Sequence, residues 1–149
     1  MGIVKKFIGE LTKHNLLIYF AIFWGFSMFF WSLYDLIYYF SDLNILPIIY
    51  NLLELGAGLF LALFGIKLIK TNFLEMINTE KALLYFLVLW AAKFFFTGIY
   101  DIIDFAPWMF ENLDYIPAVF GALADFFSGI VLLIFAWNLL NEKETNPIE

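Results

Sequence analysis

Six polar residues lie inside long apolar stretches of this 149-residue chain, where such residues are scarce. Five are ionisable and one is an amide: Asp35, Asn51, Glu54, Lys93, Asp101 and Asp125. A charged side chain at the centre of a bilayer costs about 2.5–3.5 kcal/mol on insertion scales. Such residues persist where they are paired, neutralised or needed, so these six are our candidates for an ion pathway or a buried ion pair.

Lys93 is the one cation of this set, and its partner decides its role. A rise of ~1.5 Å per residue, counted from the middle of each apolar stretch, puts Lys93 near the centre of the membrane. The carboxylates follow on the outer side, with Glu54 and Asp125 nearer the centre and Asp35 and Asp101 farther out, at roughly 12 Å. Lys93 either forms an ion pair with Asp125 or Glu54, or acts as a gate in an ion path. The carboxylate left without the lysine is a candidate proton site.

The composition explains why these residues must lie in a membrane. Hydrophobic residues make up 64% of the chain and charged residues 15%, against roughly 45–50% and about 25% in soluble domains. A membrane helix needs about 20 mostly apolar residues, and four stretches qualify: 15–39, 45–66, 82–103 and 115–140. We predict an all-α membrane protein in which residues 1–149 form a single domain in the lipid bilayer.

The lysines predict the orientation of the chain. Seven of them fall in the N-terminal segment, the connection between spans two and three, or the C-terminal tail: Lys5, Lys6, Lys13, Lys67, Lys70, Lys81 and Lys143. The opposite connections carry carboxylates and no lysine. The positive-inside rule therefore places both termini in the cytoplasm. The chain is rich in Lys, Asn and Ile, which favours a prokaryotic inner membrane. The apolar run of the first span is too long to be the core of a cleaved signal peptide.

The two halves of the chain resemble each other. A shift of 66 residues lays the first span over the third and pairs Trp24 with Trp90, Tyr34 with Tyr100, and Asp35 with Asp101. A shift of 71 lays the second span over the fourth and pairs Glu54 with Asp125 and Gly58 with Gly129. We interpret this as tandem duplication of a helical hairpin, at about 13–71 and 79–142, although chance recurrence of common residues is the alternative. Both copies start on the same side, so the repeat is parallel, with a pseudo-twofold along the membrane normal, unlike many transporter repeats.

Polar and small residues recur at helical spacing, which predicts the faces that pack. Small residues allow membrane helices to approach closely, and those predicted at helix interfaces are Gly58, Gly121, Ser128 and Gly129. Asp125 shares the stripe of the fourth span and is predicted to point into an interface. The first span is predicted to turn inward its own polar stripe of Trp24, Ser27, Trp31, Tyr34 and Asp35.

Several functions are excluded by residue types that the chain lacks. It has no Cys, no Arg and only one His, and its net charge is -6. Thiol chemistry and histidine relays are therefore ruled out, and no basic face is present for nucleic acid. We interpret the acidic loop around Asp104, Glu111 and Asp114 as a solvated loop and not as a Ca²⁺ site. We therefore expect no metal and no cofactor. An aspartyl hydrolase needs two carboxyls in contact and no other catalytic motif is present, so we expect no enzyme.

Two functions remain. The first is ion transport, in which protons or a small cation move along a seam of intramembrane carboxylates. Four spans leave little room for a central cavity, so this function favours a homo-oligomer such as a dimer. The alternative is a non-catalytic membrane subunit or scaffold, whose buried charges only fix helix packing and whose Phe-rich surface docks a larger membrane-protein partner.

Overall fold

The computed structural model describes residues 8–9, 15–42, 44–69, 78–108 and 112–145. Four long helices account for nearly all of them: α1 (Asn15–Asp42), α2 (Ile45–Ile69), α3 (Thr79–Phe105) and α4 (Ile116–Thr145), with a 3-10 helix at Leu113–Tyr115 before α4. Their apolar spans of 23–27 residues exceed the about 20 needed to cross a bilayer. The predicted four-helix, all-α architecture is confirmed, and its helices are long and apolar enough for an integral membrane protein.

The helices keep most of their apolar surface on the outside of the molecule. Only 17–39% of the most apolar window of each span is buried. Leu16, Phe23 and Ile37 are 70–83% exposed on α1 alone. So large an exposed apolar surface is typical of helices that lie in lipid, and it is compatible with an integral membrane protein.

Each helix packs against its neighbour in sequence. The described residues of α1 contact α2 extensively, α2 contacts α3, and α3 contacts α4. Every pair is antiparallel, and no comparable contact joins α1 to α4 within the described chain. The small core lies around α2, where Ala57, Leu61 and Phe64 meet Ala82 and Phe86 of α3. Among the described residues α1 and α4 are thus the two outer helices, and each packs extensively against one helix only.

Local signals in the sequence set the helix ends. Asn78 caps α3, because its side-chain oxygen accepts a hydrogen bond from the Lys81 amide at 2.7 Å. Pro47 and Pro117 lie in the first turns of α2 and α4, where a missing amide N–H costs no helical hydrogen bond. Asn112 forms a turn through its side-chain oxygen, which accepts from the Asp114 amide at 3.0 Å. These local interactions help to set where α2, α3 and α4 begin.

The helices of each hairpin meet through glycines. A Cβ on Gly58 would lie 2.7 Å from both the Gly25 carbonyl oxygen and the Phe29 amide nitrogen of α1. Such separations are too short for any side chain, so only a glycine lets the two backbones approach this closely. Gly65 continues the contact two turns farther along α2, where a Cβ on it would lie 2.6 Å from the Ile22 side chain.

The second hairpin repeats this contact in the register that the sequence alignment predicts. A Cβ on Gly129 would lie 2.9 Å from the Ala91 carbonyl oxygen and 2.6 Å from the Phe95 amide nitrogen. Gly129, Ala91 and Phe95 are the residues that the shifts of 71 and 66 pair with Gly58, Gly25 and Phe29. The two hairpins therefore cross at equivalent positions.

Gly121 and Ser128 do not behave as predicted within a single chain. Both are exposed on α4, and nothing lies within 4 Å of a Cβ built at Gly121. The rotation of α4 about its own axis explains this difference. Ala122 and Gly129 are turned toward α3 and buried, so Gly121 and Ser128 lie on the outer side of the helix. This corrects the expectation that all four small residues fill interfaces inside the chain.

The residues behind the topology prediction are only partly described. Lys5, Lys6, Lys13, Lys70 and Glu111 lie outside the described residues. Lys67 belongs to the last turn of α2 and is 4% exposed, instead of lying in the connection that follows. A lysine in a last turn interacts favourably with the negative end of the helix dipole. The sidedness of the termini remains a prediction.

Candidate functional site

An ion pair between α2 and α3 forms the centre of the candidate site. The Lys93 Nζ lies 3.7 Å from the Glu54 Oε2, and both side chains are mostly buried, at 18% and 21% exposure. Because α2 belongs to the first hairpin and α3 to the second, this pair joins the two halves of the molecule. Of the two predicted partners of Lys93, the structure selects Glu54.

Aromatic rings surround the lysine on its own helix. The Lys93 Nζ lies 5.1 Å from the centre of the Trp90 ring and 5.2 Å from the centre of the Phe94 ring. Both separations are within the ~6 Å over which a ring face attracts a cation. The Trp90 ring also meets Trp24 of α1 edge-on at 6.0 Å. Lys93 thus lies close to the Glu54 carboxylate and to the rings of Trp90 and Phe94.

The remaining carboxylates are arranged hairpin by hairpin. Asp35 of α1 lies within electrostatic range of Glu54 of α2. Asp101 of α3 interacts electrostatically with Asp125 of α4, and it also interacts electrostatically with Lys93. We name the set Asp35, Glu54, Lys93, Thr97, Asp101 and Asp125 the polar seam.

Two buried hydroxyls near these charges have no hydrogen-bond partner among the described residues. They are the Ser32 Oγ of α1, in a residue only 1% exposed, and the Thr97 Oγ1 of α3. Thr97 lies one turn from both Lys93 and Asp101 on α3. Buried polar groups are nearly always hydrogen bonded, so these two hydroxyls are suited to bind water or a passing ion.

Asn51 plays a local part. It is 1% exposed, and its Nδ2 donates a hydrogen bond to the Pro47 carbonyl oxygen one turn earlier on α2, at 2.9 Å. The amide group is therefore engaged with its own helix, whereas the sequence suggested that it orients Glu54 or joins two helices. Its burial still places a polar group one turn from Glu54.

Three tyrosines gather at the end of the seam and were missed as a cluster in the sequence. The Tyr50 and Tyr100 rings lie 5.9 Å apart across the α2–α3 interface. The Tyr39 side chain is within hydrogen-bonding range of Tyr50, and the Asn44 side chain is within range of Tyr100. Tyr50 lies one turn from Glu54, and Tyr100 precedes Asp101, which is the spacing that could have revealed them. Tyr50 and Tyr100 thus add two phenol groups to the polar residues of the α2–α3 interface.

The polar stripe of α1 divides between two directions. Asp35 is partly buried and Trp24, although 41% exposed, contacts Trp90 of α3, whereas Ser27, Trp31 and Tyr34 are exposed. With Phe30 the last three line an open groove of about 410 Å³ on α1. The prediction that the whole stripe faces inward is wrong, because this side of α1 meets no other helix among the described residues.

The carboxylates of the described chain do not converge as a chelating site. No group of three or more His, Asp or Glu side chains in this part of the molecule is placed to hold a metal ion. Glu54 and Asp101 belong to α2 and α3, whereas Asp35 and Asp125 belong to the outer helices α1 and α4. A hard divalent cation requires several oxygens at one point.

Comparisons of the chain with protein-family models, with curated proteins and with solved structures found no match.

Proposed function

We propose that this chain is a small, non-enzymatic integral membrane protein that moves protons or a small cation along the polar seam. The observation that carries the proposal is an imbalance of charge. The seam holds four carboxylates and a single lysine, and among the described residues only Glu54 lies within ion-pair distance of that lysine. Asp35, Asp101 and Asp125 lie within apolar spans, and no cation of the described chain is within ion-pair distance of them. Intramembrane carboxylates in this state are typical of proton and ion pathways.

The neighbouring polar groups support a continuous path. The tyrosine hydroxyls lie at one end of the seam, and the unpartnered Thr97 hydroxyl lies between Lys93 and Asp101. A water molecule at Thr97 would connect the Asp101–Asp125 pair to the Glu54–Lys93 pair. Lys93 would then regulate the path, because its charge favours an anionic Glu54 and opposes the approach of a second cation.

The proton is the species that the geometry supports best. A proton needs only one carboxyl at a time, and the seam holds four; water molecules between them would supply the hydrogen bonds that the side chains do not make. A dehydrated divalent cation needs several converging oxygens, which the described residues do not provide. A small monovalent cation that keeps part of its water shell is the second species compatible with the seam.

The proposal is tested by reconstituting the purified protein in vesicles that contain a pH-sensitive dye. A potassium diffusion potential drives proton entry, and the initial rate is compared with that of empty vesicles. Glu54→Gln and Asp125→Asn are each expected to lower the rate at least tenfold. Asp114→Asn is the matched control, because this exposed carboxylate lies outside the membrane spans and the seam. A rate equal to that of empty vesicles, or one unaffected by both substitutions, would contradict the proposal.

A membrane subunit or scaffold is the second candidate function, and the ion pair itself favours it. Glu54 and Lys93 join the two hairpins, so a purely structural role would account for both charges. In that case the protein would show no flux and would copurify with a larger membrane protein in mild detergent. Flux measurements and copurification from native membranes together separate the two candidates.

We also infer a duplicated hairpin with both termini in the cytoplasm of a prokaryotic cell. The equivalent crossings at Gly58 and Gly129 support the duplication, and so does the contact of Trp24 with its counterpart Trp90. The distribution of lysines supports the orientation. Reporter fusions to either terminus test it: a phosphatase active only outside the cytoplasm should stay inactive at both ends.

A further inference from the structure

The helix α2 packs against α3 through four contacts that run along its length. Tyr50 meets Tyr100 with ring centres 5.9 Å apart, and Glu54 meets Lys93 at 3.7 Å. Farther along, a Cβ on Gly56 would lie 3.0 Å from the Leu89 side chain, and Phe60 meets Tyr85 with ring centres 5.0 Å apart. This interface joins the second helix of one hairpin to the first helix of the next.

The same interface has two unused halves elsewhere in the molecule. The shift of 71 carries the α2 residues to Gly121, Asp125, Phe127 and Val131 of α4. The shift of 66 carries the α3 residues to Tyr34, Ser27, Phe23 and Tyr19 of α1. Phe127 and Val131 are 58% and 64% exposed, and Tyr34, Phe23 and Tyr19 are 65%, 71% and 52% exposed. Gly121 and Ser27 are exposed and Asp125 is partly so.

These two surfaces do not meet within one chain, because α1 and α4 are the outer helices. An exact twofold between the hairpins would pack α4 on α1 as α2 packs on α3. The structure departs from that closure, so the α4 surface and the α1 surface are both left without a helical partner. An interface of this kind, in which two different surfaces pair, links separate copies head to tail.

We propose that α4 of one copy docks on α1 of a second copy and repeats there the α2–α3 interface. This inference rests on the duplication proposed above and not on transport. Two copies related by a twofold axis along the membrane normal make this contact twice, so neither surface is left uncovered. A larger ring of copies would also cover both surfaces of every copy.

Hydrogen-bonding complementarity supports a second copy over lipid as the occupant. The α1 groove of about 410 Å³ presents the Ser27 hydroxyl, the Trp31 indole and the Tyr34 phenol, all of which donate hydrogen bonds. The facing residue on α4 is Asp125, an acceptor with no cation within ion-pair distance in the described chain. Lipid tails satisfy neither group. Docking would bring the donors and the carboxylate together at a shared depth.

Depth and shape agree with this pairing. Ser27 lies within one residue of the middle of the span Asn15–Phe40, and Asp125 within two residues of the middle of Ile116–Asn138. Their offset is therefore only ~3 Å along the membrane normal. Gly121, which has nothing within 4 Å of its Cβ position, is the counterpart of the bulky Tyr50. The notch at Gly121 would receive Tyr34 of the second copy.

Cysteine cross-linking tests the pairing directly, because the chain contains no Cys of its own. Two differently tagged variants, Tyr34→Cys and Gly121→Cys, are co-expressed and oxidised in the membrane. A disulfide-linked heterodimer is expected in the mixture, and neither variant alone should cross-link. Tyr34→Cys mixed with Val131→Cys is the control, since Val131 lies nearly three turns away along α4. Equal cross-linking of the control pair, or of each variant with itself, would overturn the proposal.

A second measurement follows association by energy transfer between labelled copies at increasing lipid dilution. Gly121→Leu fills the notch and is expected to weaken association at least tenfold while leaving the unfolding midpoint unchanged. Tyr34→Ala should weaken association from the other surface. A parent protein that is monomeric at every lipid ratio, or unchanged transfer in both variants, would show that lipid covers these surfaces. Association without flux would instead contradict the transport proposal alone.

Discussion

The Lys93 ammonium lies 3.7 Å from the Glu54 carboxylate across the α2–α3 interface, and in the described residues no ion pair joins it to Asp125. The choice has a geometric origin. The helix α3 packs between α2 and α4, but Lys93 shares its face with Leu89 and Tyr85, which contact α2. The lysine therefore turns toward the first hairpin, and Asp125 is left beside Asp101.

Removing one member of this pair should destabilise the bundle. Lys93→Leu leaves Glu54 buried without its cation, and Glu54→Leu leaves the lysine without its anion, so each single change should lower the free energy of unfolding. The double variant should recover part of the loss, with a coupling of about 0.5–1.5 kcal/mol, as is typical of polar contacts between membrane helices. Reversible unfolding in mixed micelles measures all four proteins.

The matched control for that cycle combines Lys93→Leu with Asp125→Leu. Because Asp125 belongs to the other carboxylate pair, these two losses should add. Coupling of Lys93 to Asp125 as large as its coupling to Glu54 would contradict the pairing seen in the structure.

The glycines at the two crossings should tolerate no side chain. Gly58→Ala and Gly129→Ala force a Cβ to within 3 Å of the facing backbone, and overpacking of this kind costs about 1–3 kcal/mol. Similar losses at both sites are expected because the crossings are equivalent. The comparison is Gly121→Ala, which meets open space and should change stability by less than about 0.5 kcal/mol. Thermal unfolding of the three variants in the same detergent measures these changes in stability. A loss of stability in Gly121→Ala as large as that in Gly58→Ala would contradict the described packing.

The outer tyrosines should matter for flux if the seam conducts. Tyr50→Phe and Tyr100→Phe keep both rings and remove only the hydroxyls, so the 5.9 Å ring contact and the fold should persist. Proton flux into vesicles is expected to fall several-fold in each variant because the hydrogen-bonded end of the path is lost. Tyr85→Phe serves as the control, since this residue packs on Phe60 at the opposite end of α3. Equal flux in all four proteins would remove the tyrosines from the path.

The start of α3 should depend on its cap. Asn78→Ala removes the acceptor of the Lys81 amide hydrogen bond at 2.7 Å, and loss of an N-cap costs about 0.5–2 kcal/mol. Hydrogen exchange at the first amides of α3 should accelerate, while exchange at the middle of the helix stays unchanged. Asn78→Asp should restore protection, because aspartate is an equally good cap. Unchanged exchange in Asn78→Ala would show that another group satisfies these amides.

The sequence by itself determined the number of long helices and, to within a few residues, their bounds. The requirement for an unbroken apolar run is local, so the spans can be identified directly along the chain. It also placed Gly58 and Gly129 at helix contacts, because their spacing within a stripe is a property of one helix. The same reasoning located every charged member of the polar seam.

The tertiary structure alone decided which of these residues meet. Glu54 and Asp125 occupy equivalent positions in the two hairpins, so spacing along the chain could not rank them as partners of Lys93; the order and rotation of the packed helices did. The exposure of Gly121, Ser27 and Tyr34 follows from the same cause. A helical stripe defines a face, but whether that face finds another helix depends on how the helices are arranged, and here α1 and α4 are the outer helices.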